Sequence, residues 1–162
     1  MIMSSYHKSI IELIAFILGK GHEYLSDIDS GNAYDKIIRN YHQFNIKGEK
    51  VYRNITLMQT HYRYTQDAWQ NRTEIKELYF EHLVPLKIIK KELQNLIGTN
   101  FTREQIKMIL EKTEIAVLTK QQAKLLDKKY KSDLPSGGES RLAIMKYEIE
   151  VITEQNSIFK IN

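Results

Sequence analysis

Residues 78 to 91 read L-Y-F-E-H-L-V-P-L-K-I-I-K-K, and how this stretch folds decides how the chain is organised. Two local structures compete for its first half. If a helix starting near Thr65 ran on, Ala68, Ile75, Leu78, Tyr79 and His82 would share one face, and His82 would be a core histidine with one satisfied hydrogen bond. Pro85 argues against that, because the residue before a proline avoids helical geometry. The segment Phe80 to Pro85 is therefore expected to be extended, with Glu81 and His82 side by side. Beyond the proline the period changes. Leu86, Ile89, Leu93, Leu96 and Ile97 mark a helix, with Lys87, Lys90 and Lys91 on its outer side.

A second stretch matches the first. Glu114-Ile115-Ala116-Val117-Leu118 reads as a short buried strand, and Thr119-Lys120-Gln121-Gln122 is a capping-box pattern that opens a helix through about Lys129. Glu81-His82-Leu83-Val84-Pro85 resembles the Glu/Asp-His-x-x-Pro signature of HNH (ββα-metal, His-Me finger) endonucleases. The stretch Ile115 to Asp127 resembles the strand, tight turn and helix that complete such a finger. The resemblance implies a general base at His82, a metal ligand at Glu81, and Mg or Mn as the cation that offsets charge at a scissile phosphate. It also implies phosphate contacts by Lys87, Lys90, Lys91, Lys120 and Lys124. The helix position where the family carries a ligating histidine reads Ala123, which leaves Gln121, Gln122 or Asp127 as substitutes, with Asp127 the charged one. The site is thus expected to be degenerate or changed. A site without cutting activity needs no cofactor.

Charge placement favours a polyanion contact. The formal charge is only +4, yet residues 83 to 131 hold eleven Lys/Arg against five Asp/Glu. Phosphate neutralisation is the main source of affinity for nucleic acid. From Tyr52 to Trp69, aromatic and basic residues interleave, which suits either a stacking platform or an aromatic core. No cysteine occurs, so disulfides, thiolate metal sites, zinc fingers of cysteine type and a cysteine nucleophile are excluded. Phosphate-binding glycine loops, a Gly-x-Ser-x-Gly elbow and a His-Glu-x-x-His pair are likewise missing from the sequence.

The remaining pattern is helical. Ile10, Leu13, Ile14, Ile17 and Leu18 share a face behind Ser4-Ser5, and Gly19 and Gly21 end that helix. Residues 26 to 32 read as a loop by composition, and Tyr34, Ile37, Ile38, Tyr41 and Phe44 as the next helix. Val51, Ile55, Met58 and Tyr62 suggest a third, and Thr102 to Gln105 is a capping box for a helix with Ile106, Ile109 and Leu110. After the polar turn at 131–138, a helix near 139–146 and an extended tail at 148–152 close the pattern. With two prolines and seven glycines in 162 residues, a mainly α chain is expected. The expected architecture is a single compact helical domain with a small two-stranded ββα-like element near residues 79–84 and 114–129. Its parts are a helical portion at 1–77, an HNH-like portion with a helical insert at 78–135, and a helix and tail at 136–162.

The expected function is nucleic-acid binding, DNA ahead of RNA, by a degenerate relative of a metal-dependent nuclease of phage or defence type. The alternative is a small helical protein that binds and regulates another protein, such as an anti-defence factor. No apolar run is long enough to span a bilayer, so a cytoplasmic protein with no membrane partner is expected.

Overall fold

Eight α-helices and four short strands form the fold of the described residues, which are 3–130 together with the backbone at 150–151 of this computed structural model. In chain order α1 spans Ser5–Lys20, α2 His22–Ser30, α3 Ala33–Asn40 and α4 Ile55–His61. Strand β1 is Arg63–Tyr64, α5 Gln66–Gln70, β2 Leu78–His82, α6 Leu86–Gln94 and α7 Arg103–Glu111. Strand β3 is Ile115–Thr119, α8 Lys120–Tyr130 and β4 Glu150–Val151. The chain is mainly α, as its sequence indicates. The helix expected at 139–146 lies outside the described residues.

These elements gather into two compact units, each assembled from separate chain segments: residues 1–50 with 86–113, and residues 51–85 with 114–162. The first unit is built of helices, with one isolated antiparallel bridge between Phe44 and Lys50. Ser4 caps α1 by accepting from the His7 N–H at 3.3 Å, and Gly21, at φ 93, takes the backbone geometry that stops it. Helix α1 packs on α2, α3 and α7, and α6 packs on α3 and α7. Ile14, Leu18, Tyr34, Ile38, Ile89, Leu93, Ile106 and Leu110 are buried. The Thr102–Gln105 capping box opens α7 as its sequence predicts.

Residues 22–30 are helix α2, where composition suggested that a loop begins at Ser26. The cause is non-local. Asp29 accepts from the Lys90 ammonium at 2.7 Å, and Asp35 of α3 takes the same ammonium at 2.9 Å, so α2, α3 and α6 meet at one cation. Lys90 is only 21% exposed in its side chain. Lys90→Ala is therefore expected to lower the stability of this unit by about 2 kcal/mol, between the values typical of exposed and buried pairs, measured by urea unfolding.

The second unit carries the sheet, in the order β2-β3-β1-β4. Strand β2 runs antiparallel to β3 in the register Leu78↔Thr119, Phe80↔Val117 and His82↔Ile115, while β1 is parallel to β3. The sheet thus extends the expected two-stranded element by β1, which the pattern did not show, and by β4, which falls within the extended tail expected at 148–152. Ile115, Ala116, Val117 and Leu118 are all buried, because both faces of β3 are covered. Against one face lie Met58, Tyr62, Tyr64, Ala68 and Trp69 with Leu78, Ile115 and Val117. Against the other lies α8, through Leu126 on Ala116 and Leu118. The aromatics Tyr62, Tyr64 and Trp69 are core residues, not a stacking platform.

Candidate nucleic-acid interface

Strand β2, strand β3 and helix α8 make a ββα element, and the extended reading of Phe80 to His82 holds. Within it, side chains alternate between faces. Glu81 lies opposite Ala116, so it belongs to the face under α8, where it is 5% exposed. His82 lies opposite Ile115 and belongs to the other face, half-buried, on the side of the aromatic core. The two neighbours in sequence therefore point into different surroundings.

The distal positions follow from α8. Thr119 and Gln122 form the predicted reciprocal cap, with the Thr119 N–H donating to Gln122 Oε1 at 3.0 Å and the Gln122 N–H donating to Thr119 Oγ1 at 3.2 Å. This start sets the helix rotation. Gln122, Ala123 and Leu126 face the sheet and Tyr130 is half-buried, while Asp127 stands on the exposed side. Among the described residues no group of three or more His, Asp or Glu converges as a cation site. A buried Glu81, an outward Asp127 and a methyl group at Ala123 do not fit the divalent cation that the resemblance implies.

The basic residues separate into two kinds. Of the twelve Lys and Arg of the first unit four are neutralised by described residues: Lys90 by Asp29 and Asp35, Arg103 by Glu12, Lys107 by Glu104, and Lys112 by Glu92. Lys87 and Lys91 are exposed on α6 of that unit. Helix α8 carries no such pair among the described residues. Lys120, Lys124 and Lys128 recur every four residues on the exposed face, and none forms an ion pair with a described residue. Four residues of helix advance about 6 Å, so the three ammonium groups form a line along the helix. Lys129 lies beside this line, its ammonium 5.2 Å from the Tyr130 ring.

The sequence reading named Lys120 and Lys124 and left out Lys128, although its i, i+4, i+8 spacing is visible in the sequence. It also named Lys90 as a phosphate contact, where the ammonium is occupied by two carboxylates. No helix among the described residues is long and apolar enough to cross a membrane. No family model, no curated protein and no solved structure matches the chain.

Proposed function

We propose that the chain binds nucleic acid through the lysine line of α8, on a ββα scaffold that has kept the shape of a nuclease finger without its cutting centre. One observation carries the reading: Lys120, Lys124 and Lys128 are exposed and without ion pairs among the described residues, whereas the cations of α7 are internally compensated. Cations left uncompensated on one face suit a partner that brings its own negative charge. The opposite orientation of Glu81 and His82, with Ala123 at the distal position, speaks against a shared metal and hydrolysis. Backbone contacts position a protein on nucleic acid without requiring chemistry.

The test is the salt dependence of binding to a labelled oligonucleotide. Each phosphate contact contributes about −0.9 to the slope of log K against log salt on duplex DNA and about −0.7 on a single strand, so replacing all three lysines by glutamine is expected to flatten the slope by about 2.1 to 2.7. Between about 50 and 200 mM salt the wild type then loses about 20- to 40-fold more affinity than the variant. An unchanged slope removes α8 from the interface. Incubation with plasmid in Mg²⁺ or Mn²⁺ is expected to leave it intact, and cutting that disappears in His82→Ala would restore the nuclease reading.

A second reading, a regulator of another protein, draws on the first unit. There Tyr6, Ile10, Leu13 and Ile37 line an apolar notch of about 230 Å³, and Leu13 and Phe16 are 44% and 53% exposed. Negligible oligonucleotide affinity at physiological salt selects this reading over the first.

A further inference from the structure

At the head of the lysine line, the second unit holds a cleft of about 360 Å³ lined by Asp67, Gln70, Asn71, Glu77, Thr119, Lys120 and Gln121. Its size falls within the range of small-ligand sites, yet its lining is polar, which suits a ligand recognised by hydrogen bonds. The wall is held from behind. Gln122, 6% exposed, receives the Thr65 hydroxyl at 2.8 Å and the Thr119 N–H on Oε1, and donates through Nε2 to Asp67 Oδ2 at 2.9 Å. Asp67 is thereby oriented by a buried side chain, while Oδ1 takes no hydrogen bond from a described residue. Glu77, Gln70, Lys120 and Gln121 are exposed and make no side-chain hydrogen bond among the described residues.

Resting on the nucleic-acid reading of α8, we propose that this cleft takes one unstacked guanine of a single-stranded nucleic acid whose phosphates run along Lys120, Lys124 and Lys128. The chemistry selects the base. A carboxylate accepts at two oxygens, and only guanine offers two adjacent donors, N1–H and the N2 amine, on its Watson–Crick edge. Adenine and cytosine place a ring lone pair beside their single amine, which repels the second oxygen. Uracil and thymine have one N–H between two carbonyls. Lys120 supplies the donor that O6 or N7 of guanine accepts, and it is also the first cation of the phosphate line. A base inside a duplex has that edge already paired, so the strand must be single.

The experiment uses fluorescein-labelled oligothymidylate, the same strand with one central guanine, and the same strand with hypoxanthine in its place, each also as the ribose counterpart. One guanine is expected to tighten binding about tenfold or more, and hypoxanthine, which lacks the N2 amine, to lose most of that gain. Glu77→Gln and Asp67→Asn, both exposed and isosteric, are expected to erase the guanine preference and to leave the salt slope of the plain thymidylate strand unchanged. Equal binding of all three strands with a lysine-dependent slope overturns the cleft and leaves the proposed function standing. No lysine-dependent binding to any strand overturns both. A guanine preference that vanishes on adding a chelator assigns the carboxylates to a cation and also overturns the inference. The ribose arm decides between DNA and RNA as the source of the base.

Discussion

Titration from about pH 9 to about pH 12 is expected to unfold the protein in a cooperative step, with tyrosinate absorbance rising at that step instead of along the curve of free tyrosine. Tyr34, Tyr41, Tyr62 and Tyr64 are at most 5% exposed. Burial raises the pKa of each, that of Tyr41 to about 12, with Glu111 and Glu104 adding to it. Asp29 adds to the burial effect at Tyr34, Tyr64 and Tyr52 add to it at Tyr62, and at Tyr64 burial outweighs an opposing Arg72. In the unfolded chain these phenols ionise near pH 10, while in the fold they keep their protons. The stability this represents is complete below pH 10 and drains away above it.

The magnitude is large. Each phenol subtracts about 1.4 kcal/mol by pH 11, so the four together subtract about 6 kcal/mol, comparable with the whole stability of a small domain. Lys90 works in the same direction. Partial burial lowers its pKa, but the bonds to Asp29 and Asp35 outweigh this and hold it above the usual lysine value. Its contribution is also present below about pH 10.4 and lost above. Tyr34→Phe and Tyr64→Phe are the controls, since neither hydroxyl has a hydrogen-bond partner among the described residues. Each is expected to preserve stability at neutral pH and to move the alkaline midpoint upward. Tyrosines that titrate normally while circular dichroism holds steady would sink the prediction.

Leu126→Ala should destabilise the second unit by about 2 to 5 kcal/mol, the usual range for emptying a fully buried leucine site. Leu126 is 0% exposed and packs on Ala116 and Leu118, with the half-buried Tyr130 of the same helix against that cluster. Its neighbour Leu125 is 48% exposed, so Leu125→Ala is expected to change stability by no more than about 0.5 kcal/mol. The contrast between adjacent leucines, read by denaturant unfolding with hydrogen exchange across 120–130, tests how α8 is rotated on the sheet. That rotation is what places Lys120, Lys124 and Lys128 outward, so equal effects would also undo the proposed interface.

Local chemistry announced much of this. The caps at Thr102 and Thr119, the break at Pro85 and the apolar strand Ile115 to Leu118 are each fixed by residues within a few positions, and all four stand where the pattern put them. What sequence could not show depends on partners far along the chain. Helix α2 buries only Leu25 and contains five polar residues of turn-forming or acidic type, so nothing near it reveals the Lys90 that joins it. Val51, Met58 and Tyr62 do share one cluster, but Ile55 is not part of it; Arg53 sits at φ 65 and Asn54 caps α4, so the helix covers only part of that spacing. Strand β1, two residues long, is too short to have a period. At the site, Glu81 and His82 were correctly read as extended, and the consequence that extension sends them to opposite faces was missed. The polar cleft unites residues from α5, the turn before β2, and the start of α8, a grouping that no linear spacing encodes.

The interleaving of the two units bears on how the protein is made. During synthesis, the surface of α1 that includes Ile14 and Leu18 leaves the ribosome well before α7, against which α1 packs, because residues 51–85 belong to the other unit. A chain released at residue 85 holds neither unit whole. Premature termination anywhere before α8 is therefore expected to yield sticky fragments destined for chaperones and proteases, and no single proteolytic nick can divide the finished molecule into one intact half and another.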